Sequence, residues 1–225
     1  MHNGPLFRGP LRLYREVREM KIEFENWPRR EIYEFFTGMS NPFYMVSYTE
    51  DVTELRAFAH ERGISFYYAL VYLCTEAMNS VEAFRYAIRG DGVHLLDRRM
   101  ASFTDLKPGS ESFHIVTMPC DGSLEEFCRA ARKKSRGAVR FIEPAAETDE
   151  LVYFSCLPWV ELTAMTNERN LDPDDSVPRV SWGRYFESGG RLKLNISLEL
   201  NHRLLDGLHV GRFHEALRAL MEGLN

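Results

Sequence analysis

The sequence has few cysteines, no excess of positive charge and no long apolar run. Its four cysteines include no CxxC pair, and each stands beside apolar residues, which is typical of buried free thiols rather than of disulfides or metal ligands. We therefore expect no metal site. A formal net charge of −5 argues against a protein that binds nucleic acid through its phosphates.

Membrane and export signals are also lacking. No stretch reaches the roughly 18 consecutive apolar residues of a membrane span, and the N-terminus has no apolar segment of signal-peptide length. These absences predict a protein without a membrane partner, and the free thiols favour a cytoplasmic location. With 225 residues, 44% of them hydrophobic and 27% charged, the chain has the composition of one globular domain with a substantial core.

Helix and strand patterns interleave irregularly along the chain. Predicted strands cover 21–25, 43–48, 85–88, 93–96, 101–104, 112–118 and 151–162, and predicted helices cover 29–36 after Pro28, Thr53 to Gly63, a segment capped by Ser65 that extends past Met78, and 123–132. A tight hairpin is predicted at 90–92 and a long polar loop at 167–178. This order predicts the α/β class, as a two-layer mixed β-sheet with packed helices.

The clearest strand signal lies near the C-terminus, where leucine and isoleucine alternate with polar residues from Leu192 to Leu200. The alternation predicts a half-buried strand. By the same parity, His202 lies on the apolar face and Asn201 on the other. The chain then turns at 205–207 and enters a helix, whose predicted inward residues are Val210, Phe213, Leu217, Leu220 and Leu224.

His202 at the end of this strand is a candidate general base. A half-buried imidazole can accept a proton near neutral pH. A lone histidine that faces a core is, however, more often structural, so the position of His202 does not by itself distinguish a catalyst from a core residue.

Four motifs, in order along the chain, distinguish these readings. They are NWPRRE at 26–31, SCLPWV at 155–160, NHRLLDG at 201–207 and DGLHVGR at 206–212. They resemble the NWxRRE, SxxPWV, HHxxxDG and DGFHVGR motifs of chloramphenicol acetyltransferases. NHRLLDG is also similar to the DHRxxDG of dihydrolipoamide acyltransferases, but no lipoyl domain or Ala/Pro-rich linker precedes it. The resemblance covers 21–225 as a single domain with the fold of that CoA-dependent acyltransferase family, and leaves 1–20 as an N-terminal extension.

The resemblance implies a role for each of four residues. His202 takes the proton from an acceptor hydroxyl while that oxygen attacks the thioester of acetyl-CoA, and no acyl-enzyme forms. Ser155 donates a hydrogen bond to the oxyanion. Asp206 pairs with Arg29 and holds the loop that carries the histidine, rather than acting as a triad carboxylate.

Ligand contacts and assembly are implied in the same way. Acetyl-CoA is a co-substrate, with no permanently bound cofactor, and its contacts fall on Ser181, Arg184 and Tyr185, although an ordinary exposed arginine and a packed tyrosine are alternatives for the last two. Acceptor contacts fall on Phe36, Phe103, Met165 and Asn167. The family is homotrimeric, and each active site lies between the histidine of one subunit and the pocket of its neighbour.

Several positions depart from the family pattern and concern the substrate. Asn201 replaces the first histidine of HHxxxDG, Phe36 replaces a tyrosine, and Ser65 stands where a lysine near the CoA phosphates is common. Asn167 and Arg169 occupy a pocket wall that is apolar in the family, and polar groups buried against an apolar ligand are costly unless each finds a partner. Three functions stay open: an O-acetyltransferase for chloramphenicol, an acyltransferase for a more polar alcohol or amine, and a non-catalytic ligand-binding relative.

Overall fold

The computed structural model describes residues 19–224, which form ten strands and five α-helices. The strands are β1 (Met20–Lys21), β2 (Phe43–Asp51), β3 (Tyr86–Arg89), β4 (Gly92–Leu95), β5 (Met100–Leu106), β6 (Phe113–Met118), β7 (Leu151–Cys156), β8 (Arg179–Trp182), β9 (Phe186–Ser188) and β10 (Arg191–Asn201). The helices are α1 (Arg30–Thr37), α2 (Thr53–Glu61), α3 (Phe66–Ser80), α4 (Leu124–Gly137) and α5 (Gly207–Glu222). The predicted extension at 1–20 lies outside the described residues except for its last two.

Seven strands form one mixed sheet in the order β2-β10-β8-β7-β5-β6, with β9 paired to the start of β10. β7 runs parallel to both β5 and β8, and the other pairs are antiparallel. A smaller sheet has the order β1-β4-β3. In it Met20, one residue before the predicted start of the domain, pairs with Leu95. The predicted α/β class with a mixed sheet and packed helices is confirmed.

Helix α3 forms the centre of the core. It is apolar on most of its circumference, and nine of its fifteen residues are buried, as expected for a helix covered on all sides. The Ser65 hydroxyl accepts a hydrogen bond from the NH of Tyr68 and caps the helix as predicted. α3 packs against α4, α5 and the large sheet. No helix within 19–224 combines the length and apolar character needed to cross a membrane.

β10 is buried more deeply than its alternating pattern predicts. Its polar residues Ser197, Glu199 and Asn201 are at most 8% exposed, because the chain after Leu162 crosses their face of the sheet. The Asn195 amide donates to the carbonyl of Leu162 at 2.7 Å, and Ser197 Oγ accepts from the NH of Met165 at 3.1 Å. The polar residues of β10 therefore bind the segment after Leu162 by hydrogen bonds instead of facing water.

Other element predictions are wrong in their limits. The strand expected at 21–25 gives way to a 3-10 turn at Phe24–Asn26, α1 begins at Arg30 instead of residue 29, and β7 ends at Cys156 because Pro158 has no NH for a strand ladder. In α5 the inward residues are Val210, Phe213, Leu217 and Met221. Leu220 is 37% exposed, since the 3.6-residue period brings position 221 to the core instead.

Candidate active site

His202 follows β10 directly, at the end of the strand that lies between β2 and β8. Its main-chain NH donates to the carbonyl of Pro42 at 2.8 Å. Its half-buried ring stacks on Phe36, with centroids 4.1 Å apart and an interplanar angle of 12°, and also lies 4.4 Å from the ring of Tyr44. Burial raises the pKa of Tyr44 well above its ordinary value, so both neighbours present neutral rings. These contacts hold the imidazole in one orientation.

The two ring nitrogens of His202 differ in their surroundings. Nδ1 is buried, and no hydrogen-bond partner for it is found in the described part of the chain. Nε2 is therefore the nitrogen available to a substrate. A neutral imidazole with a free nitrogen lone pair can take the proton of a hydroxyl group that comes within hydrogen-bond distance.

Arg29 fastens the turn that carries His202. Its Nη2 donates to the carbonyl of His202 at 2.9 Å, its Nε donates to the carbonyl of Arg203 at 2.9 Å, and its Nη1 lies 2.6 Å from Asp206 Oδ2. The side chain of Arg29 is 9% exposed. One guanidinium therefore holds both ends of the turn from 202 to 206. Arg30, in contrast, is exposed and pairs with Glu34 within α1.

Asp206 is fully engaged away from the ring of His202. Its Oδ1 accepts from the NH of Leu208 and caps α5, and it lies 3.0 Å from His209 Nδ1. Burial alone would raise the pKa of Asp206, but the hydrogen bond from Arg29 and the charges of His209 and Arg29 outweigh it and hold the pKa below its ordinary value. Asp206 is a helix cap and the ion-pair partner of Arg29, and it does not contact His202.

Ser155 lies in β7 and lines a cavity of about 560 Å³. Near this serine, Tyr67 donates to the carbonyl of Thr104 at 2.7 Å and Tyr68 donates to Asp105 at 2.5 Å. The cavity is lined by Ser65, Tyr67, Tyr68, Thr104, Asp105, Leu106, Glu111, Phe113, Ser155, Cys156, Leu157, Pro158 and Trp159. It is mostly apolar and open to solvent, which suits a small-molecule site.

His202 and Ser155 do not meet within one chain. Strand register sets Ser155 opposite Ser181, and Ser181 opposite Ser197. Two strand spacings and five residues along β10 separate the serine from His202, a distance of roughly 19 Å for ordinary sheet dimensions. The histidine also lies on the α1 side of the sheet, whereas Ser155 shares the opposite face with Ser197. The two side chains of one chain therefore cannot both lie within hydrogen-bond distance of the same reacting centre.

The three residues predicted to contact CoA are not brought together. Ser181 is 1% exposed and accepts a hydrogen bond from the Asn167 amide at 2.7 Å, so it offers no surface to a ligand in the isolated chain. Arg184 is exposed and pairs with Glu161. Tyr185 lines a second cavity of about 420 Å³ together with Arg56, Ala59, His60, Gly63, Ile64 and Phe66. The Nε of Arg56 donates to its hydroxyl at 3.1 Å.

The four predicted acceptor residues lie in three places. Phe36 stacks on His202, and Met165 and Asn167 lie on the sheet face that carries Ser181 and Ser197. Phe103 is 1% exposed and packs on Tyr67, Tyr68 and Phe127, so the inward parity of β5 makes it a core residue of the isolated chain. Its contact with an acceptor stays a prediction.

Sequence reasoning missed several aromatic residues at these sites. Tyr44 contacts His202, and Phe113 and Trp159 line the Ser155 cavity. Trp159 is 69% exposed, and its place within the PWV motif was a signal that could have identified it. Tyr44 could have been found from strand parity, because it is paired with Leu200 and shares the face that His202 continues.

Comparison with known proteins covers nearly the whole described chain. A sequence model of the family described as "CAT: Chloramphenicol acetyltransferase" matches residues 18–218. Chloramphenicol acetyltransferase 3 of Escherichia coli is 25% identical over 203 residues, which span 89% of this chain and 95% of that protein. Chloramphenicol acetyltransferase of Streptomyces acrimycini is 26% identical over 210 residues, which span 89% of this chain and 93% of that protein.

Solved structures agree on the fold. A chloramphenicol acetyltransferase matches with a TM-score of 0.83 and 24% identity, and the match covers 90% of this chain and 99% of that one. The dihydrolipoamide acetyltransferase of Azotobacter vinelandii matches with a TM-score of 0.66 and 19% identity over 86% of each chain, which shows a shared fold alone. On the match of the family to residues 18–218, this chain belongs to the chloramphenicol acetyltransferase family and is a CoA-dependent acyltransferase.

Proposed function

We propose that the chain transfers an acetyl group from acetyl-CoA to a hydroxyl of a small molecule, with His202 as the general base and chloramphenicol as the acceptor. The relatives' names support the acceptor. One observation carries the mechanism: the imidazole of His202 is held by ring contacts with Phe36 and Tyr44, and its carbonyl is held by Arg29. Such rigidity is what proton transfer in a defined direction requires.

The reaction moves one proton and exchanges one acyl bond. Nε2 of His202 takes the proton of the acceptor hydroxyl as that oxygen bonds to the thioester carbon, which gives a tetrahedral oxyanion. The Ser155 hydroxyl donates a hydrogen bond to this oxyanion. When the intermediate collapses, the carbon–sulfur bond breaks and the CoA thiolate takes the proton from the imidazolium. The products are an acetyl ester and CoA, and no bond to the protein forms.

The proposal requires two copies of the chain. Because His202 and Ser155 of one chain lie roughly 19 Å apart on opposite sheet faces, the base of one copy must act on a substrate bound beside the serine of another. A closed ring in which each copy gives its histidine to the next satisfies this requirement. The family resemblance favours a ring of three, so the assembly is a homotrimer.

The two cavities suggest how acetyl-CoA binds. Both open beside the first turn of α3, since Ser65 and Tyr67 line the larger one and Ile64 and Phe66 the smaller one. The larger cavity suits the pantetheine arm and the thioester at Ser155. The smaller one carries the Arg56 guanidinium beside Tyr185, which suits the adenosine phosphates. In this arrangement Arg56 takes the role expected for Arg184, and Tyr185 keeps its predicted contact with CoA.

Thiol release from acetyl-CoA in the presence of chloramphenicol tests the proposal. His202→Ala is expected to lower kcat by roughly 10²- to 10⁴-fold, because the general base is lost. Ser155→Ala is expected to lower kcat by roughly 10²-fold, because one oxyanion donor is lost. Acetyl-CoA binding, measured by calorimetry, is expected to persist in both variants.

Two results would count against the mechanism. Full turnover by His202→Ala would exclude this residue as the base. No turnover by the wild-type protein with any alcohol or amine, together with normal acetyl-CoA binding, would favour a ligand-binding relative. Turnover with a more polar alcohol or amine but not with chloramphenicol would keep the mechanism and change the acceptor, and Asn167 supplies an observation in favour of that outcome.

A further inference from the structure

The side chain of Asn167 lies on the same sheet face as Ser155. Ser155 is opposite Ser181 in the register of β7 and β8, and residues that are opposite each other share a face. Asn167 Nδ2 donates to Ser181 Oγ at 2.7 Å. The amide of Asn167 is therefore within roughly 8 Å of the Ser155 side chain, given the ordinary spacing of neighbouring strands.

The orientation of the Asn167 amide is fixed by its neighbours. Its Nδ2 also donates to Glu199 Oε1 at 3.0 Å, and because a carboxylate accepts hydrogen bonds only, the nitrogen must be the group that faces Glu199. Its main-chain NH donates to the same oxygen at 2.8 Å. Glu199 is itself buried and is opposite Arg179 in the sheet. Asn167 is thus anchored at the backbone and at the side chain.

This orientation leaves the Asn167 Oδ1 without a donor from residues 19–224. The residue is half-buried, so a molecule bound beside Ser155 can cover the oxygen. The cavity that suits the thioester arm is lined by neither Ser181 nor Asn167. Because the proposed function places the thioester arm in that cavity, the substrate group left to cover Asn167 is the acceptor.

We propose that Asn167 determines acceptor specificity, and that the preferred acceptor carries a hydrogen-bond donor, a hydroxyl or an ammonium group, next to the hydroxyl that is acylated. The inference rests on the proposed acyl transfer. A donor on the acceptor satisfies Oδ1, whereas an apolar group at the same place buries that oxygen unpaired. Sites built around one polar group discriminate strongly against analogues that lack its partner.

Three acceptors with one aryl primary-alcohol skeleton test this inference. They carry a hydroxyl, an ammonium or a methyl group on the carbon beside the reacting alcohol. In the wild-type protein, kcat/KM measured by thiol release is expected to be at least roughly tenfold higher with either donor than with the methyl compound. A preference for only one of the two donors would distinguish a neutral from a charged acceptor. Product analysis by NMR identifies the acylated group.

Variants then locate the preference. Asn167→Leu keeps the size of the side chain and removes Oδ1, so the ratio between donor and methyl acceptors is expected to fall close to one, mainly through KM for the donor compounds. Asn167→Ala is expected to do the same if the leucine variant does not fold. Asn195→Leu is the matched control, because Asn195 anchors the other end of this segment at Leu162 and is expected to leave the ratio unchanged.

The outcomes separate this inference from the proposed function. A wild-type protein that turns over the methyl compound as well as the donor compounds, or an Asn167→Leu variant that keeps the preference, overturns the inference. In either case, loss of turnover in His202→Ala would still support acyl transfer. If the wild-type protein turns over none of the three compounds, their binding is measured by saturation-transfer NMR instead of their turnover. Tighter binding of the donor compounds that Asn167→Leu abolishes supports the role of Asn167, and equal binding of all three overturns it.

Discussion

At the scale of residues, the site depends on one arginine. Arg29 reaches the carbonyls of His202 and Arg203 and the carboxylate of Asp206. Because two of its three contacts are to main-chain oxygens, the guanidinium fixes the path of the backbone as well as one side chain. A lysine could not replace it, since an ammonium lacks the planar fork that reaches three acceptors at once.

The carboxylate of Asp206 is expected to make stability depend on pH in the acid range. Its pKa in the folded protein lies below its ordinary value, so its stabilising contribution is fully present above the unfolded pKa of about 3.9 and is lost as pH falls through the folded value. At neutral pH, Asp206→Asn should cost roughly 2 kcal/mol, because a charged hydrogen bond is weakened. The difference in stability between the two proteins is measured by thermal unfolding between about pH 3 and pH 7. The lower limit lies about one unit below the unfolded-state pKa of Asp206.

The difference in midpoint between wild type and Asp206→Asn is expected to shrink as the acid limit is approached. Glu187→Gln, at an exposed position of β9, serves as the control and should show little difference at any pH. A constant gap between Asp206→Asn and wild type across the whole range would show that the carboxylate charge is not the stabilising feature.

At the scale of elements, the segment that begins at residues 160–162 and crosses the sheet face determines where Asn167 lies. Residues 160–162 pass directly beside Gly183 between β8 and β9. A Cβ at Gly183 would overlap the carbonyl oxygen of Val160 and lie 2.8 Å from the nitrogen of Leu162. The NH of Arg184 also donates to that carbonyl of Val160 at 2.7 Å. The close backbone approach needs a glycine at this position.

Gly183→Ala is expected to destabilise the protein by about 1–3 kcal/mol, because backbone atoms must move to admit the methyl group. The movement also displaces Trp159, so acetyl-CoA binding should weaken. The matched control is Gly211→Ala in α5, where no atom lies within 4 Å of an added Cβ and a helical alanine is favoured. Urea unfolding measures the free energy of unfolding of both variants, and an unchanged m-value shows that a shift in midpoint reflects stability. Equal stability of the two variants would contradict the tight crossing.

At the scale of the whole molecule, the half-buried His202 lies beside α1, through its stacking on Phe36. Around it the protein exposes apolar side chains, among them Phe35 at 66% and Leu208 at 61%. Exposed apolar groups that cluster are typical of a surface covered by another protein. Together with the roughly 19 Å between His202 and Ser155, this surface supports the shared-site homotrimer.

Mixing two inactive variants tests the shared site. If each site takes its histidine from one copy and its serine from the next, then co-expressed His202→Ala and Ser155→Ala chains form some sites with both groups intact. Random assembly in a closed ring predicts about one quarter of wild-type activity. Sedimentation equilibrium of the mixture is expected to give three chains. An inactive mixed trimer, or an active wild-type monomer, would refute the shared site.

Some features could be read from neighbouring residues and others could not. The family, the mixed sheet, the cap at Ser65 and the contact of Arg29 with Asp206 follow from motifs and local patterns. Arg99 could not be anticipated: arginine is normally exposed, yet this one is 1% exposed and donates to main-chain carbonyls including those of Tyr86 and Leu151. Cytoplasmic location and the extension at 1–20 stay predictions.

The sequence by itself determined the chemical groups and the strand that ends in His202, because strand parity and capping act over a few residues. Only the tertiary structure decided that Phe103 belongs to the core, that Ser181 is covered by Asn167, and that His202 and Ser155 lie on opposite faces of one sheet. These facts depend on strand order and on segments distant in sequence that cover a face. Periodicity predicts which residues share a face of a strand, but the order of the strands in the sheet decides which other segments pack on that face.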